Sequence, residues 1–216
     1  MIFLVMLVCL MSDIHGNLPA LEKVLSLTKD VELYVSLGDV VNYAPWSDEC
    51  VDLLETIDNK FLLKGNHESN FLERNYPGSN LIAREFHNFC IKNFNRFNEI
   101  QNYEQSVSLA NYYLTHTIGN TYVFQDTDVQ ISSNTILGHS HQQYVKDINT
   151  FTIVNPGSVG QNRQLVNVIN YINWDTEQNT FECKSVKYDV DLVIDKMTHL
   201  KYPEICINYY KNKRRL

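Results

Sequence analysis

Ile2-Phe3-Leu4-Val5-Met6-Leu7-Val8-Cys9-Leu10-Met11-Ser12-Asp13-Ile14-His15-Gly16-Asn17 decides how the rest of the chain is read. Residues 2–11 carry no charge and read as a fully buried strand that stops at Ser12-Asp13. Asp13 and His15 are two apart, so along a strand they would share a face. At a strand end both can bend onto one point. Pro19 to Lys29 then reads as a helix, with Leu21, Val24, Leu25 and Thr28 at helical spacing and Pro19 in the first turn. Leu33 to Leu37 reads as a second strand, ending at Gly38-Asp39. Ser47 is placed as the N-cap of a helix reaching about Ile57, with Asp48 and Glu49 in the first turn, where carboxylates suit the helix dipole. Phe61 to Leu63 reads as a third strand, ending at Gly65-Asn66-His67-Glu68. The first 67 residues therefore alternate β-α-β-α-β, and each strand runs into a polar motif. In open parallel sheets ligand sites gather at the carboxyl ends of the strands, so the three motifs are expected to converge.

Two further motifs follow, Thr115-His116 and Gly138-His139-Ser140-His141. Five of the seven histidines thus lie in short segments rich in aspartate, asparagine and glycine. The other two read as surface or boundary residues of helices: His87 in a helix over 80–95, with Ile82, Phe86, Phe89 and Phe94 near one face, and His199 in a C-terminal helix. From Tyr112 onward the texture changes. Residues 112–114, 135–137, 151–154, 166–174 and 180–188 read as strands, the later ones antiparallel, with Thr176-Glu177-Gln178-Asn179 as a hairpin turn. No internal repeat or low-complexity linker interrupts them. The expectation is one domain over 1–216, an α/β half followed by a β-rich half that packs a second sheet on the first.

Composition bounds the partners. The chain has 216 residues, 44% hydrophobic and 20% charged, ordinary for a globular protein of this length. A net charge of −7 argues against a broad electrostatic grip on nucleic acid. It does not exclude a nucleotide substrate, because bound cations would add local positive charge. The one basic run, Lys211 to Arg215, reads as a solvated, frayed tail. Cys9, Cys50, Cys90, Cys183 and Cys206 are odd in number and widely spaced, which fits reduced thiols in a cytoplasmic protein. The uncharged start lacks a basic segment and a cleavage site, and it is too short to cross a bilayer. No membrane association is expected. The 13 tyrosines and 10 phenylalanines would permit a homodimer.

The motifs point to metal chemistry. Imidazole and oxygen donors suit manganese, iron, zinc or cobalt better than calcium. Asp13 and His15 can share one ion, and His139 and His141 could supply one imidazole to each of two ions. Asp39 can bridge them, and Asn66 offers a neutral amide oxygen. Two divalent ions about 3.5–4 Å apart can hold a hydroxide and clamp a phosphoryl group for in-line attack. A single His-x-His or Gly-Asp is more often structural; all five motifs at strand ends in one chain are hard to attribute to chance.

In motif order, Asp-x-His, Gly-Asp, Gly-Asn-His-Glu, a lone histidine and Gly-His-x-His, the chain resembles the calcineurin-like metallophosphoesterase superfamily. Ser12-Asp13-Ile14-His15-Gly16-Asn17 and Asn155-Pro156-Gly157-Ser158-Val159-Gly160-Gln161 make it most similar to the small bacterial and archaeal phosphodiesterases, a diadenosine tetraphosphatase-like group. Gly38 to Tyr43 and Tyr188-Asp189-Val190 match as well, so the resemblance spans about 12–190. It implies an α/β fold built as a two-sheet β-sandwich flanked by helices. It implies one metal held by Asp13, His15, Asp39 and His141, and a second held by Asp39, Asn66, His116 and His139. Manganese is the first expectation, with iron, zinc, nickel or cobalt as alternatives. His67 would contact the phosphate and protonate the leaving oxygen as the catalytic residue. The implied reaction is hydrolysis of a phosphodiester or nucleotide by in-line attack of a metal-bridging hydroxide, on a phosphorylated small molecule. A scaffold that binds proteins, or a phosphoprotein phosphatase, are the alternatives within the superfamily. Asn17, Arg163 and Tyr43 are candidate substrate contacts. Arg163 could equally be a surface arginine, and Tyr43 and Trp46 could equally pack a loop. Two departures stand out: Asn42 occupies a position where many relatives carry aspartate, and Asn162 replaces a typical proline before Arg163.

Overall fold

The computed structural model describes residues 6–119 and 121–216. Residues 2–5 of the first expected strand lie outside the described residues. The elements are β1 (Leu7–Met11), α1 (Leu18–Leu27), β2 (Leu33–Ser36), α2 (Ser47–Glu55), β3 (Lys60–Leu62), α3 (Asn66–Leu72), α4 (Leu81–Cys90), a 3-10 turn at Ile91–Asn93, α5 (Phe97–Gln101), β4 (Ser106–Leu109), β5 (Tyr112–Thr115), β6 (Asn134–Ile136), β7 (Gln143–Ile148), β8 (Phe151–Pro156), β9 (Val168–Asp175), β10 (Thr180–Lys187), α6 (Asp191–His199) and α7 (Glu204–Lys211). The strands form two five-stranded sheets, ordered β10-β9-β1-β2-β3 and β4-β5-β6-β8-β7. Both are mixed: β1, β2 and β3 run parallel while β9 is antiparallel to β1, and β5, β6 and β8 run parallel between the antiparallel edges β4 and β7.

The two sheets pack face to face, and the alternation along β1 shows how. Val8 and Leu10 point into a core shared with Val35, Leu114, Ile136, Val154 and Trp174 of both sheets. Cys9 and Met11 point the other way, against Ala20, Leu21 and Val24 of α1 and Val51 and Leu54 of α2. A strand buried on both faces has no polar side to show, which is why this segment reads as an unbroken apolar run. A third cluster joins Phe86 of α4 to Val193, Ile194 and Met197 of α6 and Cys206 and Tyr210 of α7. Among the described residues, no helix is long and apolar enough to cross a membrane.

The sheet assignment corrects one expectation. β9 and β10 form the expected antiparallel hairpin but return to the first sheet, where β9 pairs with β1. The second sheet is completed instead by β4 and β7, which the sequence reading did not anticipate. Nor is Ser47 the N-cap of α2: it is the first helical residue, Trp46 holds the cap position, and the Ser47 hydroxyl accepts from the Asn42 backbone at 3.0 Å. The basic tail is not frayed. Val166 N donates to Arg214 O at 2.9 Å, Arg215 pairs with Asp191 at 2.7 Å, and Leu216 N donates to Asn167 at 2.8 Å.

His87 is not a surface residue. It is 2% exposed, its Nδ1 has no hydrogen-bond partner, and its ring meets Phe71 edge-on at 5.3 Å. Burial, with the nearby His67 as a lesser cause, pushes its pKa down from 6.5 to about 4. The folded protein therefore resists a proton that the unfolded chain accepts. Stability is full above pH 6.5 and falls as pH drops from 6.5 towards 4, by up to about 1.4 kcal/mol per pH unit. His87→Phe is expected to flatten this decline in urea titrations between pH 7 and pH 4.5. An unchanged pH slope in the variant would contradict it.

Candidate active site

The five motifs meet at one end of the sandwich, beyond the carboxyl ends of β1, β2, β3, β5 and β6. The loop after β1 is pinned to the loop after β2: Asp13 N donates to Gly38 O at 3.0 Å, His15 N to Asp39 O at 2.9 Å and Gly16 N to Val40 O at 2.7 Å. The segment Ser158–Gly160 braces the first loop from the other side, with Ser158 Oγ donating to Asp13 O at 2.7 Å and Gly160 N at 3.1 Å. A Cβ at Gly160 would lie 1.7 Å from Ile14 O, so only glycine fits there. Asn155 holds the turn at 138–141 through Gly138 O (2.7 Å) and Ser140 Oγ (3.0 Å). This braced frame holds Asp13, His15, Asp39, His139 and His141 in the left-handed region, at φ between 52° and 66°. Non-glycine residues seldom adopt that conformation, at a cost of about 1–3 kcal/mol each, and such residues cluster at functional sites.

Three overlapping groups of donor atoms result: Asp13, His15 and His141; His15, Asp39 and His67; and Asp39, His116 and His139. Within the first, His15 Nε2 lies 3.2 Å from His141 Nε2, and Asp13 Oδ1 lies 3.0 Å from His141 Nε2. Within the third, His116 Nε2 lies 3.2 Å from His139 Nδ1, 3.2 Å from Asn66 Oδ1 and 3.3 Å from Asp39 Oδ2.

The far nitrogens decide what these contacts mean. His15 Nδ1 faces Val41 O at 3.3 Å, His116 Nδ1 faces Leu37 O at 2.8 Å and His141 Nδ1 faces Gln161 O at 2.7 Å. A carbonyl only accepts, so each Nδ1 carries the proton and each Nε2 presents a lone pair to the site. Lone pairs turned on one another and on buried carboxylates at 3.0–3.3 Å call for a proton or a cation between them. The donor set fits divalent metal ions.

Charge balance agrees. Burial, and then the neighbouring His141 and His67, holds His15 well below the usual histidine range. Burial and His116 push His139 down to about 4. Both rings are neutral, as ligands must be. His116 is the exception: burial opposes its charge, but the Asp39 carboxylate overrides it and pushes that pKa up to about 10, so without a cation its Nε2 holds a proton that a bound metal would displace. Burial works against the Asp13 carboxylate too, and His141 overrides it, holding the group below the ordinary carboxylate range.

His67 sits beside this centre, with Nε2 at 4.0 Å from Asp39 Oδ2. Asn42 Nδ2 donates to its Nδ1 at 2.9 Å, which leaves the ring proton on Nε2, facing the site. Asn42 thus supports the histidine as an amide can, by fixing its tautomer. Tyr43 packs edge-on against His15 at 4.8 Å and His67 at 5.3 Å while lining the pocket. Arg163 also lines the pocket, its guanidinium 4.9 Å from the Tyr122 ring centroid. Asn162, beside it in the chain, holds the turn: its side chain accepts from Gln164 N at 2.9 Å and Leu165 N at 3.0 Å. Trp46 packs against the third apolar cluster. Asn17 is placed differently from the expectation that it touches substrate. It is fully buried, accepting from Ala20 N at 3.3 Å as the cap of α1 and donating to Gly160 O and the Tyr188 hydroxyl at 2.9 Å.

Sequence reasoning passed over Glu68. Its buried carboxylate accepts from Asp39 N (2.8 Å), Gly65 N (2.8 Å), Val40 N (2.7 Å) and Val41 N (3.1 Å), tying the Asp39 loop to the start of α3. Burial and the charge of Asp39 push its pKa up to about 7, against these four donors. The signal available in sequence was an acidic side chain three residues after Gly65, the spacing of a helix capping box.

A profile of the calcineurin-like phosphoesterase superfamily domain matches residues 6–179. The chain belongs to this superfamily, whose members hydrolyse phosphoric esters. It is 28% identical over 230 aligned residues to an uncharacterized protein of Methanocaldococcus jannaschii, covering 92% of this chain and 94% of that one. Its fold is similar to a metallophosphoesterase from Sphaerobacter thermophilus, with a TM-score of 0.77, 21% identity and coverage of 96% and 99% of the two chains. A putative diadenosine tetraphosphatase superposes with a TM-score of 0.58 at 14% identity, covering 86% and 96%.

Proposed function

We infer that this chain is a two-metal phosphoesterase acting on phosphodiester or nucleotide substrates. The carrying observation is the pair of opposed imidazoles, His15 with His141 and His116 with His139, each pair 3.2 Å apart and flanking Asp39. Asp13, His15, Asp39 and His141 would hold one ion, and Asp39, Asn66, His116 and His139 the other. When bound, the ions supply Lewis acidity at the phosphoryl oxygens and acidify the attacking water. Manganese suits the oxygen-and-imidazole set, as iron, zinc, nickel or cobalt would.

The chain's own residues do the rest. His67, its tautomer fixed by Asn42, would donate a hydrogen bond from Nε2 to the phosphate and its leaving oxygen. Arg163 offers a forked donor to a phosphate, and Tyr43 walls the pocket beside His67. The packing of α6 and α7 on α4 supports reading 1–216 as one domain. The free thiols of Cys9, Cys50, Cys90, Cys183 and Cys206 support a cytoplasmic setting.

Purified protein with added manganese is expected to release nitrophenol from bis-p-nitrophenyl phosphate, and excess chelator is expected to abolish release. Absence of turnover with manganese, nickel, iron or cobalt, in protein shown to be folded, would overturn the enzyme reading and leave a scaffold.

A further inference from the structure

Two cavities adjoin at the metal-ligand cluster, of about 350 Å³ and 620 Å³. They share Asn66, Tyr76, Tyr122 and His139, so the reacting centre forms part of the wall between them. Their other walls differ in chemistry. The smaller lobe alone contains His67, Arg163, Tyr43 and Tyr209. Arg163 makes no ion pair among the described residues and stands over the Tyr122 ring. An uncompensated guanidinium on a wall shared with Tyr43 and Tyr209, in a chain of net charge −7, makes a local site for an aromatic group that carries negative charge. The larger lobe alone contains Ser69, Asn70, Gln105, Thr115 and Thr117, and its two charged residues, Lys64 and Glu73, offset each other. Hydroxyls and amides in that number suit an uncharged, hydroxyl-bearing group.

The hydrogen-bond donor at His67 breaks the symmetry. In an in-line displacement the leaving oxygen departs opposite the attacking water, and a group that donates to it must stand on its side. His67 borders only the smaller lobe. We propose that the cleft sorts the two substituents of a diester: a nucleotide-like leaving group, aromatic and anionic, enters the lobe of Tyr209 and Arg163, and a sugar- or polyol-like group retained on phosphorus enters the lobe of Gln105 and Thr117. Tyr76 and Tyr122 stand between the two. The reaction is a hydrolysis: the P–O bond to the nucleotide-like group breaks, water supplies the new P–O bond and the proton that the departing oxygen takes up, His67 Nε2 donates a hydrogen bond to that oxygen, and the retained group leaves as its phosphate monoester. This assignment rests on the phosphoesterase reading and adds direction to it.

Binding of the two product types tests it without turnover. Calorimetry on manganese-loaded protein would measure AMP, which mimics the leaving group, and glycerol phosphate, which mimics the retained one. Tyr209→Leu is expected to weaken AMP about tenfold, the scale of one lost stacking contact, and to leave glycerol phosphate unchanged. Gln105→Leu combined with Thr117→Val is expected to do the reverse. If one variant weakens both ligands alike, or neither variant discriminates between them, the sorting proposal is overturned. Nitrophenol release by the wild type from bis-p-nitrophenyl phosphate, run in parallel, separates the two failures: release with no discrimination removes only the sorting, whereas no release removes the phosphoesterase reading as well.

Discussion

His67→Ala is expected to keep its full metal content while kcat on bis-p-nitrophenyl phosphate falls by about 10²–10³-fold, the usual worth of one preorganised hydrogen-bond donor to the transition state. Two features separate His67 from the candidate ligand set. Its Nδ1 accepts from the Asn42 amide, so its proton, not a lone pair, faces the site. Its backbone N–H donates to Asp39 Oδ1 at 2.8 Å, a bond that survives removal of the side chain and keeps Asp39 in place. The competing assignment is concrete, because His67 also groups with His15 and Asp39 within reach of one ion. Metal analysis beside the kinetics decides between them. A fall in bound metal on losing the ring would make His67 a ligand and remove it as the donor to the reacting oxygens.

The parts of the fold legible in the sequence are those in which one local rule acts alone. The run ending at Met11 had to be a strand buried on both faces, and the polar residues after it had to be at its carboxyl end. The alternating run of β10 and the four-residue turn before it read correctly for the same reason. What escaped depends on distant partners. β9 joins β1 across more than 150 residues of chain, and no local pattern states which sheet will receive a hairpin. α3 begins at Asn66, inside the motif read as the end of the third strand, because Glu68 caps it while also holding the Asp39 loop. The types and spacing of the candidate donors were readable, but the backbone that aims them was not. Asp13, His15, Asp39, His139 and His141 sit at positive φ, a conformation their own propensities disfavour and only the surrounding hydrogen bonds impose. His87 and Asn17 fail in the opposite sense: polar residues that looked free for the surface or the substrate are buried within the fold.

Glu68→Gln, isosteric and without effect on any ligand atom, is expected to destabilise the metal-free protein by roughly 2–6 kcal/mol. The figure follows from counting donors. Each carboxylate oxygen of Glu68 receives two backbone N–H groups, Oε2 from Asp39 and Gly65 and Oε1 from Val40 and Val41. An amide must turn its NH₂ towards one of these pairs, whichever way it is rotated. Two buried N–H donors then face a donor, each costing about 1–3 kcal/mol. For a chain of this length the midpoint of thermal unfolding should drop by roughly 10 °C, since each kcal/mol is worth about 2–4 °C. The displaced loop carries Asp39, and Gly65 leaves it no slack, because a Cβ there would lie 2.2 Å from Asp39 Oδ1. Weakened manganese binding should therefore accompany the lost stability, although Glu68 offers the ions no atom. A Tm within 2 °C of wild type would show that the four N–H bonds are not what holds the Asp39 loop, and normal metal affinity in a destabilised variant would show that the loop keeps its aim without them.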